Sequence, residues 1–153
     1  MSDSVDVLIV APSIPSIAHP GDAGADLPSA EAFILAPGER RTVPTGVSIA
    51  LPRGHVAFIV PRSGLAARHG ITIVNSPGTV DAGYRGEISV TLLNTDRTNS
   101  YSVSVGDRIA QMVVLPFSAV NFVPVERLPE SARGTDGFGS TGVHPASPTV
   151  KEV

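Results

Sequence analysis

Cysteine and tryptophan are absent from this chain of 153 residues, aromatic residues make up only 5% of it, and its one lysine, Lys151, stands against ten arginines. Each shortage removes a class of chemistry. Without cysteine there are no disulfides and no thiolate metal sites. With one lysine, near the end, a Schiff base or a phosphate-loop lysine has no candidate in the body of the chain. Arginine remains for bidentate contacts to phosphate. A net charge of -3 and a pI near 5.7 argue against a surface that grips nucleic acid through counterion release. No apolar run approaches the ~20 residues of a membrane span, and the opening Met1-Ser2-Asp3-Ser4-Val5-Asp6 carries no basic leader. The expectation is a soluble, cytoplasmic protein with no membrane or nucleic-acid partner. His19, His55, His69 and His144 show no ligand spacing, so none is assigned to metal.

What the chain has in quantity is punctuation. Fifteen glycines and fourteen prolines interrupt it every eight to twelve residues, leaving little room for long helices. Between them lie β-like runs: Val5 to Val10, Thr42 to Leu51, His55 to Val60, Ile71 to Val74, Glu87 to Leu93, Tyr101 to Val105, Arg108 to Leu115 and Val120 to Val125. Ile88, Val90 and Leu92 alternate with Ser89 and Thr91, and Tyr101, Val103 and Val105 with Ser102 and Ser104, which predicts strands with one buried face. One short helix is expected over Ser63 to His69, capped by Ser63 and ended by Gly70. Short strands with evenly spaced turns predict an all-β sandwich or jelly roll. The strand pattern stops near Pro129. The expected organisation is a β domain over 1–129, a flexible glycine-rich C-terminal arm over 130–142 and a tail over 143–153.

Chemistry gathers at the breaks. Gly78-Thr79-Val80-Asp81-Ala82-Gly83-Tyr84-Arg85-Gly86-Glu87 puts a carboxylate and a ring side by side on what reads as a tight hairpin, though Asp-Ala-Gly is also an ordinary turn former. Asp26, in Asp22-Ala23-Gly24-Ala25-Asp26-Leu27, is a candidate direct or water-mediated ligand to Mg²⁺, or a plain loop acid. Arg62 and Ser63 sit where a strand meets the helix, a place that suits an anion. Asp107 and Arg108 read as a structural pair. In the arm, Gly137, Gly139 and Gly142 satisfy G-x-G-x-x-G but no strand-turn-helix unit surrounds them. Gly134 and Gly139 have phosphate-loop spacing, yet Ser140 stands where lysine is needed. Glycine-freed amides, hydroxyls, Arg133 and the Phe138 ring could wrap a phosphate chain and cover a base.

Taken in order, DAGADL at 22–27, PRSGLA at 61–66, NSPGTVDAGYRGEI at 75–88, GDRIAQMV at 106–113 and RGTDGFGSTG at 133–142 resemble the five motifs of the homotrimeric deoxyuridine triphosphatases. The resemblance implies a distorted jelly roll, a homotrimer with three active sites shared between subunits, Mg²⁺ as cofactor, and hydrolysis of dUTP to dUMP and pyrophosphate. Carried over by position, it implies that Asp81 is the base activating the water that attacks the α-phosphorus, and that Tyr84 lies against the deoxyribose and excludes a 2′-hydroxyl. Asn75, Thr79, Val80, Asp81 and Ser89 would line the nucleoside pocket. Arg62, Ser63, Gly64 and Gln111 would contact phosphates, and Asp26 would hold Mg²⁺ through water. From a neighbour's arm, Arg133 would meet the γ-phosphate, Phe138 would cover the uracil, and Gly139 and Ser140 would add phosphate contacts. Ala25 and Pro28 depart from the family's usual tyrosine and bulkier residue.

Ordering the arm costs on the order of 10 kcal/mol, so it is expected to close as a lid only on bound nucleotide. Three other readings compete: a dCTP deaminase of the same fold, a nucleotide-binding regulatory module, and a non-catalytic β-sandwich. Ammonia release from dCTP would mark the first. Tight analogue binding without pyrophosphate release would mark the second. The third leaves the five motifs unexplained.

Overall fold

The computed structural model describes residues 4–132, 134 and 135, and the chain divides into two units, Met1–Ala119 and Val120–Val153. The first holds eleven strands and one helix: β1 Leu8–Val10, β2 Ser16–Ile17, β3 Gly24–Pro28, β4 Phe33–Leu35, β5 Arg40–Ala50, β6 His55–Val60, α1 Ser63–His69, β7 Ile71–Ile73, β8 Gly78–Val80, β9 Glu87–Asn94, β10 Tyr101–Val103 and β11 Arg108–Pro116. They form three antiparallel sheets, ordered β1-β5-β9-β7, β2-β3-β11-β6-β8 and β10-β4. The all-β jelly-roll expectation stands. Among the described residues no helix is long and apolar enough to cross a membrane.

Alternation produces the core. In β9 Ile88, Val90, Leu92 and Asn94 point inward while Glu87 and Ser89 point out. In β5 Val43, Thr45, Val47 and Ile49 do the same. The apolar residues among them join Leu27, Leu35, Ile59, Val103 and Met112 in one cluster fed by all three sheets, each fully buried large side chain contributing roughly 1.5–3 kcal/mol. Buried Asn94 is satisfied, donating through Nδ2 to the carbonyls of Leu35 and Asn99 at 3.0 and 2.9 Å.

Several expectations are corrected. The residues from Gly78 to Glu87 do not make a hairpin, because β8 pairs with β6 in one sheet and β9 pairs with β5 and β7 in another. The period of two is the same whether consecutive strands pair or part. DAGADL runs into β3, whose polar Asp26 hid it, and β2, β4 and β8 are too short to show a period. Val120 to Val125 forms no strand, and Val120, Phe122, Val123 and Val125 are exposed. β10 ends at Val103, and Val105 is exposed beside a turn at left-handed Gly106. The helix has the expected span, but its N-cap is Arg62 with no side-chain cap bond, and Ser63 is its first residue. Gly70, at φ 65°, ends it as expected.

Candidate active site

The segment from Asp81 to Gly86 crosses from one large sheet to the other, and its ends are fixed by those sheets. Val80 pairs with Ala57 at the end of β8, and Glu87 opens β9 opposite Ser48. A β-turn closed by the Tyr84 N–H on the Asp81 carbonyl, at 3.0 Å, folds the start of the segment. Arg85 clamps it, donating from one terminal nitrogen to the carbonyls of Ala82 at 2.6 Å and Tyr84 at 2.7 Å. The Tyr84 hydroxyl donates to the Glu87 carbonyl at 3.0 Å.

A distortion in β5 anchors the far end. The register shifts between Pro44 and Ser48, and Gly46 within that bulge takes a φ of 71° that only glycine adopts readily. Its N–H donates to the Glu87 carboxylate at 2.6 Å. Beside it, the buried Thr45 hydroxyl donates to the Ile88 carbonyl, also at 2.6 Å. Thr45, Gly46 and Glu87 thus hold the segment although nothing in their own spacing announces it.

Between the sheets lies a cavity of about 220 Å³ lined by Ile59, Ile73, Asn75, Gly78, Thr79, Val80, Asp81, Tyr84, Glu87, Ile88, Ser89 and Val90. The structure therefore brings together Asn75, Thr79, Val80, Asp81, Tyr84 and Ser89, all expected at one pocket. Ile59, Ile73, Ile88 and Val90 add an apolar wall. Asp81 and Tyr84 are exposed at this cavity. Its size is below the roughly 300–1,000 Å³ of a cleft that swallows a whole ligand, so it suits one portion of a longer molecule.

A second cavity shares no lining residue with the first. It is bounded by Ala18, Asp22, Ala23, Gly24, Asp26, Arg62, Arg108, Gln111 and Val113. Gln111 pairs with Asp26 across β11 and β3 and with Val60 of β6, one residue short of the turn to Arg62. Arg62 Nε donates to Asp26 Oδ1 at 2.9 Å, and Arg108 donates to Asp26 Oδ2 at 3.0 Å. Arg62 also donates to the Arg108 carbonyl at 3.1 Å. Asp26 is therefore a buried link between two guanidinium groups, and Arg108 pairs with it rather than with Asp107, whose carboxylate accepts from the Ser104 N–H. Across β3, Gly24 lies under the Gln111 side chain: a Cβ there would stand 3.3 Å from Gln111 Cδ and closer still to Oε1.

Ser63 and Gly64 occupy the first turn of α1, next to Arg62. The expected contacts at Arg133, Phe138, Gly139 and Ser140 lie outside the described residues.

Residues 11–142 match the model of the dUTPase family. The chain belongs to that family. It is 68% identical over 142 residues to the deoxyuridine 5′-triphosphate nucleotidohydrolase of Leifsonia xyli subsp. xyli, an alignment covering 93% of each protein. Among solved structures it is similar to a Staphylococcus bacteriophage 80alpha dUTPase with dUPNHPP, at a TM-score of 0.84 and 29% identity, covering 90% of this chain and 99% of that one. It is also similar to a mutant dUTPase of phage phi11 of S. aureus, described for its coordination of a structural Mg(II) ion, at a TM-score of 0.75 and 25% identity, covering 82% and 99%.

Among the described residues of this dUTPase no group of three or more His, Cys, Asp or Glu side chains could hold a metal. Both oxygens of Asp26 already accept from arginine. Such a set makes no all-protein cage for Mg²⁺, an ion that keeps several waters.

Proposed function

We infer that this protein hydrolyses dUTP to dUMP and pyrophosphate. The reading is carried by one observation: six residues expected at the nucleoside, scattered from Asn75 to Ser89, line a single cavity with the Asp81 carboxylate at it. Family membership supports the reaction; the residue roles are our own assignment.

Hydrolysis at phosphorus needs an in-line water, a base to take its proton and positive charge over the phosphate oxygens. Asp81 takes the proton as the water oxygen attacks the α-phosphorus, and pyrophosphate leaves with the bond to the β-phosphate oxygen. The inter-sheet cavity takes the uracil and sugar. Unpaired buried groups cost roughly 1–3 kcal/mol each, so backbone from Thr79 to Asp81 that pairs with uracil rejects cytosine. Tyr84 packs on the deoxyribose and leaves no room for a 2′-hydroxyl. Arg62, Ser63, Gly64 and Gln111 bind phosphates, joined by Arg133, Gly139 and Ser140, while Phe138 covers the base. Asp26, beside its two arginines, would be the residue to hold Mg²⁺ through water, and the ion would supply further positive charge over the phosphate oxygens. The rest of the Asp26 carboxylate's work is to orient Arg62.

The protein acts as a homotrimer in which the phosphate-binding cluster of one subunit completes the nucleoside cavity of another. Two features support this: the two cavities of one chain share no residue, and apolar Leu8, Val10, Phe122 and Val123 are each at least 70% exposed in the single chain. The test is incubation with dUTP, UTP, dCTP and dTTP plus Mg²⁺ and product analysis. Selective release of dUMP and pyrophosphate is expected. Ammonia from dCTP, or no product from the assembled protein, overturns the reading.

A further inference from the structure

Glycine occurs twice in the segment joining the sheets, at 83 and 86, and neither position has the left-handed φ that would explain it. Their surroundings differ. A Cβ at Gly83 would meet nothing within 4 Å. A Cβ at Gly86 would stand 2.6 Å from Tyr84 Cζ and 3.1 Å from Cε2, with the hydroxyl oxygen nearer still. The Tyr84 ring therefore lies directly on the Gly86 backbone, and it does so while 47% exposed, so core packing does not hold it there. The Tyr84 hydroxyl also donates to the Glu87 carbonyl, and its backbone is held by the turn bond to Asp81 and by Arg85.

We propose that Gly86 is a specificity-determining position: its bare backbone seats the Tyr84 ring, and the seated ring sets the preference for deoxyribose over ribose. This rests on the reading above that Tyr84 faces the sugar. A methyl at 86 must lift the ring by most of the shortfall between 2.6 Å and an ordinary van der Waals separation, because the other side of the contact is backbone tethered to β9. The lifted ring also loses the geometry of its bond to Glu87. A ring displaced by that much no longer defines the wall of the sugar site, so the ribonucleotide gains relative to the deoxyribonucleotide. Gly86 touches no substrate and acts through Tyr84 as a positioning residue.

The experiment compares kcat/KM for dUTP and UTP in the full chain, with the variants Gly86→Ala, Gly83→Ala, Tyr84→Ala and the double variant Tyr84→Ala/Gly86→Ala, each checked by thermal melting. Tyr84→Ala should lower the dUTP:UTP ratio, Gly86→Ala should lower it tenfold or more, and Gly83→Ala should leave it at the wild-type value. In the double variant the methyl should add nothing to the effect of Tyr84→Ala. If Tyr84→Ala shifts the ratio and Gly86→Ala does not, the proposal is overturned while the sugar-facing reading stands. If Tyr84→Ala leaves the ratio unchanged, that reading fails and takes the proposal with it. Should Gly86→Ala prevent folding, the double variant decides: recovery of the fold on removal of the ring supports the proposal, and continued unfolding refutes it.

Discussion

The inter-sheet cavity and the cavity at Asp26 are built in opposite ways. The inter-sheet cavity, proposed to take the nucleoside, is bounded by a chain segment whose shape is set by backbone: a turn bond, three carbonyls capped by Arg85 and Tyr84, and a bulge in β5 that grips Glu87 and Ile88. The Asp26 cavity, proposed to bind the phosphates, is bounded by side chains, with one buried carboxylate holding two arginines. Under the proposed roles, shape discrimination between bases and sugars needs walls that do not yield, which backbone tethered to two sheets would supply. Binding a flexible polyanion needs oriented positive charge, which a carboxylate that fixes guanidinium groups would supply.

The largest expected effect separates chemistry from shape. Asp81→Asn keeps the cavity and removes the proposed base, so turnover of dUTP should fall by about 10²- to 10⁴-fold with analogue binding retained. Native turnover in steady-state assays would remove Asp81 from the chemistry. Next comes Asp26→Asn, which releases charge-assisted bonds worth about 1.5–3 kcal/mol each. It should cut kcat/KM for dUTP at least tenfold, mainly through weaker triphosphate binding, while affinity for the nucleoside deoxyuridine changes little. Equal losses for both ligands would erase the distinction between the two cavities.

A smaller effect tests the bulge. Gly46→Ala forces a side chain into a left-handed conformation at about 1–2 kcal/mol, and its Cβ would sit 3.0 Å from the Pro12 ring. Denaturant unfolding should show that loss, with base selectivity falling alongside stability; unaltered stability would mean that the bulge does not anchor the segment.

The smallest concerns a turn outside both cavities. Backbone N–H groups of Thr98 and then Asn99 hold the Asp96 carboxyl down from 3.8 to about 2. A depressed carboxyl stabilises the fold above its unfolded value near 3.8, and that contribution disappears as pH falls through about 2. Amide protection at Thr98 and Asn99, followed by hydrogen exchange, should therefore decline between pH 4 and 2 in the native chain and be low throughout in Asp96→Ala. The nucleoside cavity should be indifferent to that substitution.

Where one face of a strand is buried, the chain's own pattern was enough to locate it. Ile88, Val90 and Leu92 read correctly because a period of two and a buried face are the same fact, and α1 read correctly in extent because Gly70 must end it. β2, β4 and β8 were illegible because two or three residues carry no period. The motif residues were visible through family resemblance, whereas Thr45, Gly46 and Arg108 were not assigned to either site, since each acts through a partner 41 or more positions away.

By itself, then, the amino-acid order determined an all-β chain without thiol chemistry, the residue types for phosphoryl hydrolysis, and which strand faces are apolar. Only the tertiary structure decided that β8 and β9 enter different sheets, that Asp26 is bound by two arginines, and that Tyr84 rests on Gly86. The physical reason is range. Periodicity and turn chemistry are properties of neighbouring residues, but sheet membership and ion pairing depend on contacts between distant ones, whose geometry exists only after the core has closed.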